Sequence, residues 1–237
     1  MQLTVRDAAR ILGVSEDTLH RWVRRGELPA EQVNEQYRFN RVELLEWAAQ
    51  RKIPVSAEIL EEPGGPRSGA FRLADALRAG GIHYGVRGED REGVLRSVVE
   101  LLPVPAGCDR GLLLQMLLAR EKLGSTGLGN GIAIPHPRDP LVLRLERPAA
   151  GMFFLERPIE FEAVDRQPVH TLALLLCPSV RAHLHLLATL AAVLGDQAVP
   201  ALLAARVPRE RILAEVERVE AALAARRAEG LARSDGA

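Results

Sequence analysis

Residues Gly124–Pro140 read GSTGLGNGIAIPHPRDP. Four glycines fall in the first eight residues, followed by the apolar run Gly131–Ile134 and then by His136 between Pro135 and Pro137. Glycine lets backbone N–H groups take up φ > 0 and come close to a ligand, and runs of such groups form anion-binding concavities. Ser125 and Thr126 add hydroxyl donors, and Gly129 and Asn130 complete a candidate phosphate loop. The apolar run predicts a short buried strand ended by Pro135, leaving His136 to project from a stiff support. A neutral imidazole is a nucleophile that titrates near neutrality and can carry a transferred group covalently. Two nucleotide readings fail. No GK[ST] follows the glycines, and GLGNG neither has the GxGxxG spacing nor opens a helix.

Outward from this stretch, helical patterns are expected at about 71–79, 90–102 and 109–122. Short β-like runs follow at Gly131–Ile134, Leu141–Leu145, Gly151–Leu155, Ile159–Phe161 and Val169–Leu176, then a helix at 182–195 and one or two more to about 228. Helices around several short strands predict an α/β domain with a mixed, mostly buried sheet. Ile212, Val216, Val219 and Leu223 recur at helical spacing, so the last helix has an apolar face for the core or for a homodimer contact. The chain divides into a unit at 1–53, a Pro/Gly-rich linker at 54–70 with a short helical piece at Ala57–Glu61, the main domain at 71–228 and a flexible tail at 229–237.

The N-terminal unit opens LTVRDAARILGVSEDTLHRWVRRGELP. Thr4 and Asp7 fit a capping box, Gly13 ends the first helix, and Ser15 caps the second, whose Glu16 and Asp17 suit its positive end. Leu19, Trp22 and Val23 share one face of that helix. Thr18, Arg21 and Arg25 share another, with Asp17 and Arg24 beside it. Such a face meets phosphates or base edges. A hairpin-like stretch follows, then a third helix capped by Asn40.

Composition sets limits on these readings. The 237 residues suffice for two domains, and 47% hydrophobic with 26% charged residues is a globular balance. Net charge is zero, so the whole molecule has no bulk attraction to nucleic acid or anionic membrane. Nine basic and eight acidic side chains in residues 1–53 leave the first unit nearly neutral, so a single copy is expected to bind DNA weakly. The two cysteines, Cys108 and Cys177, share no zinc-like spacing and read as free thiols in a reducing compartment. No secretory signal pattern or long apolar run is present in the sequence, which predicts a cytoplasmic protein without membrane contact.

Two resemblances sharpen the expectations. TVRDAARILGVSEDTLHRWVRRGELPA followed by YRFNRVELLEW resembles the excisionase/MerR-type winged helix-turn-helix, in a small, mainly helical domain of about 50 residues. That resemblance implies DNA binding through residues 1–53, with the second helix (Asp17, Thr18, Arg21, Arg24, Arg25) in the major groove. The wing at Gln36–Phe39, with Arg38, would lie against the backbone. Arg120-Glu121 followed by GSTGLGNGIAIPH resembles the enzyme IIA domain of the phosphotransferase system, in its mannitol–fructose and nitrogen-regulatory class. PIEFEAVDRQPVHTLALLLCPS and HLHLLATLAAVLGD extend that resemblance over roughly 71–225. By it, His136 is the phosphoryl acceptor, Arg120 neutralises the incoming group, and His183 supports the phosphorylated ring. His185 is about 200° round the helix from His183 and faces elsewhere. The donor would be a histidine phosphocarrier, HPr-like or its nitrogen-branch paralogue. No metal, nucleotide or other cofactor is needed, and the domain acts as a phosphocarrier rather than a turnover enzyme. One departure is Pro137, where the family commonly has glycine, followed here by Arg138. Joined in one chain, the two modules imply a regulator of DNA or partner binding. The alternatives are a carrier passing phosphate to a sugar-specific IIB protein, and a DNA-binding regulator whose IIA domain is no longer phosphorylated.

Overall fold

A computed structural model describes residues 2–33, 36–51, 53, 71–104, 108–137 and 145–234. The chain separates into two compact units, residues 1–68 and 69–237. The expected linker at 54–70, Arg138 and most of the expected strand Leu141–Leu145 lie outside the described residues.

The first unit runs β1 (Gln2–Leu3), α1 (Val5–Leu12), α2 (Glu16–Arg24), β2 (Glu31–Val33), β3 (Gln36–Asn40) and α3 (Arg41–Gln50). The helix starts follow from their caps. Asp7 N–H donates to Thr4 Oγ1 while the Asp7 carboxylate accepts from Thr4 N–H, and Thr18 N–H donates to Ser15 Oγ. Gly13 ends α1 at φ 64°. The wing is the antiparallel β2–β3 hairpin, and β1 adds to it as a third strand in the order β1-β3-β2. Ala8, Ile11, Leu12, Leu19, Leu28, Phe39, Leu44, Leu45 and Trp47 are buried. The Trp22 and Trp47 rings meet at 5.0 Å, and Trp47 Nε1–H donates to the Glu27 carbonyl.

The second unit runs α4 (Leu73–Gly80), β4 (Ile82–Val86), α5 (Arg91–Leu101), α6 (Arg110–Lys122), β5 (Gly127–Gly129), β6 (Ile132–Ala133), β7 (Ala149–Ile159), β8 (Val169–Leu176), α7 (Val180–Leu194), α8 (Val199–Ala204) and α9 (Arg209–Ser234). Its sheet has the order β4-β7-β8-β6-β5. The β4–β7 and β6–β8 pairs are parallel, whereas β7–β8 and β5–β6 are antiparallel. This is the mixed, helix-flanked sheet that the sequence predicts. Phe153, Leu155, Leu172, Leu174 and Leu176 pack with Val94, Leu95 and Val98 of α5 and Leu113 and Leu117 of α6. Alternating with them, Met152, Phe154, Ala173 and Leu175 are buried on the opposite face. There α4 packs on β7 and α7 on β8. Gly80 sits so close to β7 that a Cβ would lie 2.2 Å from the Ala150 carbonyl oxygen.

Several boundaries differ from the sequence expectation. The run Gly151–Leu155 lies in a strand, β7, that continues to Ile159 across a register shift between Phe154 and Ile159, whereas Glu160 and Phe161 of the expected run Ile159–Phe161 lie beyond its end. Pro158 falls inside that shift, where its missing N–H removes no ladder bond. The sequence reading has no strand at β4, because its short IHYGV run is flanked by Gly81 and split by Gly85. Three residues of the expected glycine loop, Gly127–Gly129, form strand β5. Helix α9 continues to Ser234, past the expected end near 228. At the N-terminus of α4, Leu73 N–H and Ala74 N–H donate to the Glu220 carboxylate of α9, and Arg72 lies 3.7 Å from it. No described helix is long and apolar enough to cross a membrane.

Candidate functional site

In α6, Leu113, Leu117, Arg120 and Glu121 are all buried, one stripe at helical spacing that begins apolar and ends charged. The helix stops at Leu123, and Gly124 turns the chain back at φ 153°. Arg120, 8% exposed, donates from Nη1 to the Gly124 carbonyl at 2.8 Å. Glu121 accepts Thr126 N–H at 2.9 Å and Thr126 Oγ1–H at 2.7 Å. The Thr126 carbonyl in turn accepts Ile134 N–H at 3.0 Å. The Ile134 carbonyl then lies 2.7 Å from His136 Nδ1. A carbonyl can only accept, so Nδ1 carries a proton, and in a neutral ring Nε2 then holds the lone pair.

His136 is 2% exposed and His183 is fully buried; their rings stand 5.1 Å apart at 46°. His183 comes from the first turns of α7, which Ser179 caps through Ala182 N–H. His185 points away from this pair, its Nε2 3.1 Å from the Phe71 carbonyl. The burial of His136 differs from the projecting side chain that the sequence predicts. Ile134, Pro135 and Pro137 are buried with it, so the stiff support lies inside the protein.

The candidate phosphate loop splits between two anchors. Thr126 is held by Glu121, and Ser125 donates to the Phe161 carbonyl while accepting Gly127 N–H. At the far end of the β5–β6 hairpin, Asn130 at φ 53° donates its N–H to Asp165, and a Cβ on Gly129 would meet the same carboxylate at 3.0 Å. These donors close bonds within the fold, where the sequence reading gave them to a phosphate. The Gln167 and Asn130 N–H groups hold the Asp165 carboxyl below the ordinary carboxylate range. His170 covers the back of Gly131, with Nδ1 2.8 Å from Thr171 Oγ1. Burial, with Arg206 nearby, lowers its pKa.

Two residues that shape the site, Glu121 and Asp165, enter the sequence reading only as parts of the stretches that carry the resemblance, with no role at the site. Glu121 could be found from the 113–117–120–121 stripe, since a carboxylate on the buried face of a helix calls for a donor inside. Asp165 opens the DRQPV turn, but nothing local in that stretch says that it reaches back to Asn130. Of the two thiols, burial pushes Cys177 up to about 12 and also raises Cys108. Among the described residues no group of three or more His, Cys, Asp or Glu side chains is placed to hold a metal ion.

In the first unit, Asp17, Arg21, Arg24 and Arg25 are exposed, and Thr18 is partly so. Arg21 Nη2 donates to Thr18 Oγ1 at 3.4 Å, which joins those two on the outer face of α2. Arg24 Nε reaches the His20 carbonyl at 3.4 Å, and Arg25 lies 3.8 Å from Glu27. Arg38, on β3, donates to Gln36 of its own strand at 2.8 Å.

Comparison with known proteins gives the same division. Residues 3–52 match the helix-turn-helix domain family. Residues 76–218, more than half of the chain, match the family described as phosphoenolpyruvate-dependent sugar phosphotransferase system, EIIA 2. The nitrogen regulatory protein of Klebsiella oxytoca is 37% identical over 134 residues, 55% of this chain and 80% of that protein. The nitrogen regulatory protein of Pseudomonas aeruginosa is 39% identical over 128 residues, 52% of this chain and 80% of that protein. The crystal structure of nitrogen regulatory protein IIA-Ntr from Neisseria meningitidis superposes with a TM-score of 0.54 at 27% identity, covering 61% of this chain and 98% of that one. The chain therefore belongs to the EIIA type 2 family of the phosphotransferase system, with a domain of the nitrogen-regulatory kind behind a helix-turn-helix domain.

Proposed function

We propose that His136 accepts a phosphoryl group from a histidine phosphocarrier and that its phosphorylation state governs DNA or partner binding by this cytoplasmic regulator. The observation that carries the reading is the buried histidine pair, with Nδ1 of His136 fixed on the Ile134 carbonyl. Nε2 attacks the phosphorus of the donor phosphohistidine. The new N–P bond forms as the donor's N–P bond breaks, and the donor ring recovers its electron pair. Nδ1–H stays on the Ile134 carbonyl throughout. His183 supports the phosphorylated ring, and Arg120 offsets the arriving charge. Catalysis here is positioning plus charge stabilisation. Because His136 is 2% exposed, its surroundings must open for the donor. The exposed face of α2, with Arg21 and Arg24, and Arg38 of the wing would meet DNA, chiefly through phosphates.

A second reading, a regulator whose IIA domain takes no phosphate, draws support from Pro137 and from the burial of His136. One experiment separates them. The purified protein and its His136→Ala variant are incubated with a phosphorylated histidine phosphocarrier, and intact mass is read at alkaline pH. A gain of one phosphoryl group in the parent alone supports transfer to His136, and DNA binding is then compared before and after. No gain with several donors favours the second reading.

A further inference from the structure

We propose that Glu121 is a positioning residue for His136, acting through Thr126 and Ile134 to hold the acceptor ring in the form whose Nε2 is nucleophilic. The inference rests on the phosphoryl-acceptor reading of His136. Glu121 is 3% exposed and Thr126 is 2% exposed, so this carboxylate sits on a dry threonine rather than in water. A buried carboxylate is costly unless hydrogen-bonded, and here both oxygens receive Thr126 donors. Both Thr126 donors are thereby fixed, and its carbonyl is aimed at Ile134 N–H. That bond aligns the end of β6, so the Ile134 carbonyl is presented to His136 Nδ1. Three successive bonds therefore run from the last turn of α6 to the imidazole. The tautomer of a histidine is set by the partner of its other nitrogen, so a displaced Ile134 carbonyl frees the proton to move to Nε2 and blocks the nucleophile. Glu121 also adjoins Arg120, which grips Gly124 from the same helical turn. One turn of α6 thus anchors both the Gly124 turn and the chain of bonds that leads to the ring.

The test uses the full chain with 15N-labelled histidine. In the parent protein the His136 ring should be the Nδ1–H form at neutral pH. In Glu121→Gln the charge-assisted pair becomes neutral and the Thr126 hydroxyl must turn from donor to acceptor, which weakens the hold on Thr126, and the Nε2–H form should appear. Transfer from the phosphocarrier should then slow by about tenfold or more, as for other lost supporting hydrogen bonds, with the carrier's apparent KM unchanged. Thr126→Val should give a smaller shift the same way, and Thr126→Ser, which keeps the hydroxyl, should recover most of both readouts. A folded Glu121→Gln or Thr126→Val protein with the parent tautomer and the parent rate overturns the proposal. If Glu121→Gln does not fold, Thr126→Val decides it. If the parent takes no phosphoryl group from any donor, the acceptor reading fails, and the tautomer measurement still shows whether Glu121 sets the ring.

Discussion

The outer face of α2 and the histidine pocket of the second unit place their chemistry in opposite ways. On α2 the arginines are exposed, and their contacts are long: 3.4 Å for Arg21 and Arg24, 3.8 Å for Arg25. In the pocket, His136 and His183 are buried, and the bonds behind His136 run from 2.7 to 3.0 Å. An exposed cation acts through a field that salt screens, so it can be loose and still serve. A group that attacks one atom gains from fixed geometry, so rigidity is built around it. Substitutions should therefore disturb stability and chemistry in the pocket, but mainly salt dependence on α2.

Gly131→Ala should give the largest stability change. The residue sits at φ 72°, and a Cβ would lie 2.3 Å from the His170 ring. A loss of about 3 kcal/mol is expected by chemical denaturation. An unchanged midpoint would show the hairpin to be soft and would break the contrast. Next, His183→Leu should slow phosphoryl uptake by about tenfold. A lower Tm with normal uptake would move His183 from the chemistry to the fold. Thr4→Ala should cost about 1 kcal/mol through the lost cap. Its hydrogen bonds to Thr4 hold Asp7 below its ordinary 3.8, so the carboxylate contributes stability at neutral pH and loses it as pH falls through the lowered value. The gap between parent and Thr4→Ala should accordingly narrow in acid, and a gap that stays constant would exclude the cap's charge as its source. Smallest in stability terms, Arg21→Ala and Arg24→Ala should each stay within about 0.5 kcal/mol of the parent, yet each should lower the slope of log K against log salt for DNA by about one. Unaltered slopes would remove these side chains from the proposed DNA face.

Local signals in the sequence translated well. Thr4, Asp7, Gly13 and Ser15 carry their capping roles in residue type and spacing, and helical geometry sends His185 away from His183, which the resemblance had singled out. Long-range closure was less legible. Nothing in IHYGV says that it pairs with β7, because β4 is an edge strand whose glycines read as a turn. Pro158 looks like a strand end until the register shift shows that its N–H was never needed. The glycine stretch suggested a cradle of free donors, but the partners of those donors, Glu121, Phe161 and Asp165, lie up to 36 residues away. Burial of His136 depends on everything that packs over it.

The bond from Glu220 to the start of α4 spans 147 residues. During synthesis, the first helix of the second unit leaves the ribosome with its N-terminal donors unanswered. At 5–20 residues per second the carboxylate that meets them follows roughly 7 to 30 s later. The unit therefore cannot be completed piecemeal from its front end. Its opening helix waits on its closing one, and a chain released before residue 220 would present that helix end, and the strand face beneath it, to whatever else is nearby.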